Sequence, residues 1–192
     1  MKMRLPELHA ALVHFPLTLL PASFAFDLAG WLAGNRTLMR AGATLTPIAT
    51  GAAAMAGTAG LVAQEAAEVP EGAHVLLATH RNLNLGLVGI AGLLSVLRAR
   101  RIEPSAGYLL AGLAGVAVMQ YTAYLGGRMV YEHGVGVKAA GGVREDRSPQ
   151  IGEHDLATVA STAASNALAG VKHAARELGR GEIAPALRRG AS

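Results

Sequence analysis

The chain runs to 192 residues, of which 52% are hydrophobic, 4% aromatic and 16% charged, with 24 glycines; that balance belongs to a membrane protein rather than a soluble domain of this size. Cysteine is absent, which excludes disulfides, thiolate metal sites, iron–sulfur ligation and haem attached covalently through Cys-x-x-Cys-His. The formal charge of +4 sits in loops and a tail rather than along one face, so lipid headgroups, not nucleic acid, are the expected partner.

Four windows are apolar on all sides, and each is close to the roughly 20 residues that cross the hydrocarbon of a bilayer. The fold expected is an all-α, up-down-up-down four-helix membrane bundle over residues 1–133, followed by a polar tail. Lys2 and Arg4 precede the first apolar run as in a secretory signal, but the run is too long for one and further spans follow. It reads as a retained first helix over about 10–33, with Pro16 in its first turn, where proline is tolerated, and Pro21 deeper, where it kinks the helix. Asp27 lies in the far half of this helix. A carboxylate at mid-membrane costs roughly 2.5–3.5 kcal/mol on insertion scales, so Asp27 is expected to reach for Arg36 or Arg40 in the next loop.

Gly34-Asn35-Arg36 forms a short turn, and helix two covers about 41–63 with Pro47 inside it. Its second half, GAAAMAGTAG from Gly51 to Gly60, consists almost entirely of small residues, which either lets backbones approach closely or leaves room for a flat cofactor. An acidic connection with Glu65, Glu68 and Glu71 leads to helix three, about 74–97, which carries His80, Arg81, Asn82 and Asn84 in its first half and ends on Arg98, Arg100 and Arg101. Helix four, about 105–130, brings Gln120, Tyr121, Tyr124 and Arg128 late in its course. Residues 134–192 are a linker and a polar tail, partly disordered or helical, with a possible alanine-rich helix over 155–178, capped by Asp155 and stopped at Gly179.

Short connections make consecutive helices antiparallel neighbours. The start of helix one, the end of helix two, the start of helix three and the end of helix four then share one membrane face, where His9, His14, His74, His80 and His133 converge. Ionisable side chains inside a membrane face a bundle interior or a cavity, and neutral imidazole ligates haem iron, zinc and copper. By depth, His14 and His80 are the expected axial pair of a non-covalent b-type haem, serving electron transfer or haem sensing. Asn84, four residues past His80, shares its helix face and either orients the imidazole or bonds a neighbouring helix. Arg81 and Arg128 stand beside the histidines, placed for haem propionates or for lipid phosphate. A non-haem metal or quinone site using His9, His14, His80 and His133 is the alternative, and a structural or partner-binding subunit without cofactor is the third reading. A stand-alone enzyme is not indicated, since no nucleophile–base arrangement stands out.

Arg36, Arg40, Arg98, Arg100 and Arg101 cluster on the face opposite the histidines, so the positive-inside rule puts that face in the cytoplasm and both termini outside.

Three stretches, Leu8-His9-Ala10-Ala11-Leu12-Val13-His14-Phe15-Pro16, then His80 with Asn84, then Gly126-Gly127-Arg128-Met129-Val130-Tyr131-Glu132-His133-Gly134, resemble a bacterial four-helix membrane family, domain of unknown function 2231. The resemblance spans about residues 5–137. It implies an integral inner-membrane bundle with His9, His14, His80 and His133 as matching motif positions. No established reaction comes with it; the likeness of some members' attached domains to electron-transfer proteins points to a redox role, with a redox partner or membrane complex and a homo-oligomer as the associations to expect.

Overall fold

The computed structural model describes residues 3–188. It is an all-α helical bundle: α1 Glu7–Leu12, α2 His14–Ala33, α3 Arg36–Ala66, α4 His74–Ala99, α5 Ala106–Tyr131, α6 Leu156–Gly179 and the short α7 Pro185–Arg188. The only strands among the described residues, β1 Met3–Arg4 and β2 Gln150–Ile151, pair antiparallel. Four candidate membrane spans emerge, Glu7–Ala33, Arg36–Ala66, Glu71–Ala99 and Ala106–Tyr131. Large apolar side chains along them stand exposed, among them Leu32 at 70%, Met55 at 61% and Leu110 at 68%, a surface that water would penalise and acyl chains accept.

The chain divides into two compact units. One comprises Leu12–Ala56 and Leu85–Tyr121; the other comprises the described residues up to Ala11, Gly57–Asn84, and those from Thr122 onward.

In the first of these units, α2 begins one residue after α1 stops. Pro16 has no N–H to give the Leu12 carbonyl, so the ladder breaks one turn ahead of it, and the next bond runs from Leu17 N–H to the Val13 carbonyl at 3.2 Å. At the other end Gly34 adopts φ +61° and the Asn35 N–H returns 2.8 Å to the Gly30 carbonyl, a left-handed cap that residues with a Cβ resist. Asn35 then starts α3, its Oδ1 accepting from the Thr37 N–H at 2.9 Å and the Leu38 N–H at 3.2 Å. This cap lengthens α3 by five residues relative to the 41–63 expected from hydropathy.

Asp27 is fully buried in this unit. Its partner is Arg98, at the end of α4, and not Arg36 or Arg40. Arg98 Nη2 lies 2.6 Å from Asp27 Oδ1 and Nε 3.1 Å from Oδ2, while Tyr108 Oη donates to Oδ2 at 2.9 Å. The same Nη2 donates to the Met39 carbonyl at 2.6 Å, and Thr46 meets Tyr108 Oη at 3.1 Å. Arg36 and Arg40, at the start of α3, stay exposed, and Arg36 pairs with Glu103 at 3.7 Å. Arg98, buried in the last turn of α4, is the arginine that reaches Asp27, and Gly42 makes room because any Cβ there would collide with the carboxylate. Only one face of the small-residue run of α3 is buried, with Ala53 at 9% and Ala56 at 4% exposure, while Gly51, Ala54, Met55 and Thr58 are exposed.

In the other unit, the described residues after α5 include a docked helix. The tail takes the helical form, α6, with Asp155 as its N-cap, accepting from the Thr158 N–H at 2.9 Å. Asn166, Gly170 and Ala174, four residues apart, are its buried stripe. A Cβ on Gly170 would stand 2.7 Å from the Leu61 carbonyl oxygen, so the α6 backbone rests directly on the last turns of α3. Asn166 Nδ2 donates to the Arg147 carbonyl at 3.1 Å. Further on, Asn82 Nδ2 bonds the Glu182 carbonyl at 2.8 Å, and the Ala186 N–H bonds Thr79 Oγ1 at 2.8 Å.

Candidate cofactor site

His80 projects from α4 toward α5. Its Nδ1 is 2.8 Å from the Thr122 carbonyl, and a carbonyl only accepts, so Nδ1 carries the proton. In the neutral ring Nε2 therefore keeps its lone pair, the tautomer that binds metals through Nε2. Gly126, one turn beyond Thr122, lets the ring seat against α5: a Cβ there would lie 3.4 Å from His80 Cε1.

The ring brought beside His80 is that of His9, from α1. The two centroids are 6.5 Å apart and the planes are at 88°. Gly60, the last residue of the small-residue run, provides the seat for His9, since a Cβ at that position would stand 3.0 Å from His9 Cε1. Both imidazoles are half-buried. Two imidazoles on opposite sides of one ion, with metal–nitrogen bonds of about 2.0–2.1 Å, would have their nitrogens roughly 4 Å and their ring centres roughly 6 Å apart, close to the spacing of these two rings.

The other expected site residues fall elsewhere. His14 is exposed at the first position of α2 and belongs to the other unit. His133 follows the end of α5, where its Cε1 would be 3.3 Å from a Cβ on Gly72. His74, the first residue of α4, is exposed. Among the described residues no three histidine or acidic side chains form a group able to hold a metal ion, so His9, His14, His80 and His133 are not gathered as one shell.

Asn84 does not touch the His80 ring. Its Nδ2 donates to the His80 carbonyl at 2.7 Å and its Oδ1 accepts from Thr122 Oγ1 at 3.2 Å. It fixes Thr122, whose carbonyl fixes the ring. Arg81, one position on and about 100° around the helix, points away from the pair. Its guanidinium is 8% exposed and pairs with Glu177 of α6, with further bonds to Asn82 Oδ1 at 3.0 Å and Gln64 Oε1 at 3.3 Å. Arg128 binds Glu132, one turn further along, at 2.8 Å and lies 6.0 Å from the Tyr124 ring centre; the guanidinium holds the Glu132 carboxyl below the usual carboxylate range.

Sequence reasoning missed Thr122, whose contribution is a main-chain carbonyl and leaves no side-chain signal, and Glu177, which lies 96 residues from Arg81. Gly60 and Gly126 were within reach: each lies in a stretch singled out for its small residues or its motif.

A helical bundle with four candidate spans and a half-buried histidine pair defines a membrane protein of the polytopic helical class. The chain belongs to the family described as predicted membrane protein, domain of unknown function 2231 (DUF2231), whose model matches residues 5–139. No curated protein and no solved structure matches the chain.

Proposed function

We propose that this protein holds a b-type haem non-covalently, with His9 and His80 as axial ligands, and passes single electrons within a membrane. One observation carries the reading: two imidazoles at 6.5 Å, one of them fixed by a main-chain carbonyl in the tautomer that offers Nε2. The expected pair of His14 and His80 becomes His9 and His80, because it is the His9 ring that stands beside His80. A porphyrin supplies four nitrogen donors itself, so two protein ligands complete the iron, whereas bare zinc or copper takes three or four from the protein. The pair therefore favours haem over a non-haem ion. Two histidine ligands leave iron no open position, which favours electron transfer over oxygen chemistry. In this reading Arg81 serves the tail rather than a propionate, and Arg128 with Glu132 forms the polar rim.

The setting belongs to the same proposal. Exposed Arg36, Arg40, Arg100 and Arg101 support a cytoplasmic position for the turns that carry them, in a bacterial inner membrane, with both termini outside after an even number of crossings. The electron would come from, and go to, a redox partner or a membrane complex.

A second reading has one observation in its favour. His80, Thr122 and Asn84 form a closed hydrogen-bond circuit between α4 and α5, which is what a purely structural histidine does. The reduced-minus-oxidised visible spectrum of the detergent-purified protein from haem-replete cells separates the two. A low-spin haem spectrum lost in His9→Ala and in His80→Ala and kept in His14→Ala supports the haem site. Loss in His14→Ala with retention in His9→Ala contradicts the pair named here, and a colourless wild type that is also free of metal leaves only the structural reading.

A further inference from the structure

α6 carries three faces. Asn166, Gly170 and Ala174 pack inward, and Glu177, its only carboxylate, turns toward Arg81. On the opposite side Ala164, Leu168, Val171, Ala175 and Leu178 are all exposed, Leu168 at 57% and Val171 at 50%. Their spacing alternates four and three, which makes one continuous apolar stripe. Along one border of that stripe run Lys172, Arg176 and Arg180, exposed and four residues apart. The helix itself rests on Leu61 and Gln64 of α3, inside the candidate span Arg36–Ala66.

We propose that this face of α6 is a lipid-binding surface: the stripe lies against acyl chains of one leaflet, and Lys172, Arg176 and Arg180 bind the phosphates of anionic phospholipids. Apolar side chains flanked by long cationic ones match the boundary between hydrocarbon and headgroup, since the cations reach outward while their stems cover apolar surface. Charge disfavours a second copy of the chain: within α6 the only carboxylate, Glu177, is held by Arg81, exposed Asp155 and Glu182 stand only beyond its two ends, and two stripes packed side by side would bring their cationic borders into proximity. An anionic leaflet does answer them, since juxtamembrane basic residues are attracted to its negative surface.

The test uses the full chain in vesicles of phosphatidylcholine with and without phosphatidylglycerol, part of the phosphatidylcholine carrying bromine high on its acyl chains. Because the chain has a single tryptophan, Trp31→Phe gives a silent background in which Leu168→Trp reports the stripe and Ser165→Trp reports the polar side. The indole at 168 is quenched by bromine to at most half its intensity, that at 165 clearly less, and phosphatidylglycerol deepens the difference. Replacing Lys172, Arg176 and Arg180 together by Gln removes the phosphatidylglycerol effect. An unquenched indole at 168 overturns the proposal, the more so with α6-to-α6 crosslinks that would assign the face to a second copy. Quenching indifferent to phosphatidylglycerol overturns the phosphate contacts.

Discussion

At the scale of single residues, the molecule settles its intramembrane charges by pairing them across helices. Asp27 and Arg98 are both buried and mutually satisfied, with Tyr108 and the Met39 carbonyl completing their bonds. Removing one partner strands the other, so Asp27→Asn or Arg98→Met should cost about 3–5 kcal/mol, while Asp27→Leu with Arg98→Met should recover much of that loss. Unfolding of the micellar protein, followed by circular dichroism, measures the difference; equal losses for the single and double variants would show that the charges do not act as a pair. Such pairings are poorly legible in sequence: Asp27 announced that it needed a cation, but several arginines were eligible, and the one chosen is 71 residues away. Glu132 lies past the last candidate span, where its carboxyl is lowered from its usual 4.5 chiefly by the hydrogen bond from Arg128. Its pairing contributes stability above the unfolded value and loses it as pH falls through the lowered folded value. Carbon-13 labelling should find Glu132 titrating below 4.5 in the wild type and near it in Arg128→Gln; identical titrations would remove Arg128 as the cause.

Among the elements, the four long helices were readable because hydropathy over some 20 residues sums many small transfer energies into one clear signal. Their ends were less so, since a cap depends on one or two residues: Asn35 starts α3 ahead of its apolar run. The tail was harder still. Its composition is polar enough to suggest a mobile segment, yet Gly170, in the middle of a buried stripe with Asn166 and Ala174, lets it sit on α3 by backbone contact, and spacing alone did not say what would lie beneath that stripe. Gly170→Leu should undock α6 and speed proteolysis after Arg176 or Arg180 by an order of magnitude, with the spans intact; unchanged cleavage would mean that α6 is not held there. Asp155→Ala should cost about 1 kcal/mol by leaving the Thr158 N–H without its cap, read as fraying of residues 156–159 by hydrogen exchange.

Across the whole molecule, an even number of crossings follows from four candidate spans. Reporter fusions after residue 188 and at Arg100 should therefore give opposite signals; like signals would reject the four-span topology. The candidate site was legible only in outline. The histidines were recognisable as costly residues near helix ends, but which two meet depends on how α1, α3, α4 and α5 pack, with Gly60 and Gly126 giving the two rings room. Depth along the sequence favoured His14; packing favours His9. The most direct measurement of the proposed haem site is electron paramagnetic resonance of the oxidised, detergent-purified protein. Two imidazole planes near perpendicular, at 88°, would leave the d orbitals of a haem iron held between them nearly degenerate, so the account predicts a strongly anisotropic low-spin ferric signal that turns high-spin or disappears in His9→Ala and in His80→Ala. A wild-type sample with no low-spin ferric signal, or one whose signal survives the loss of His9, would contradict it.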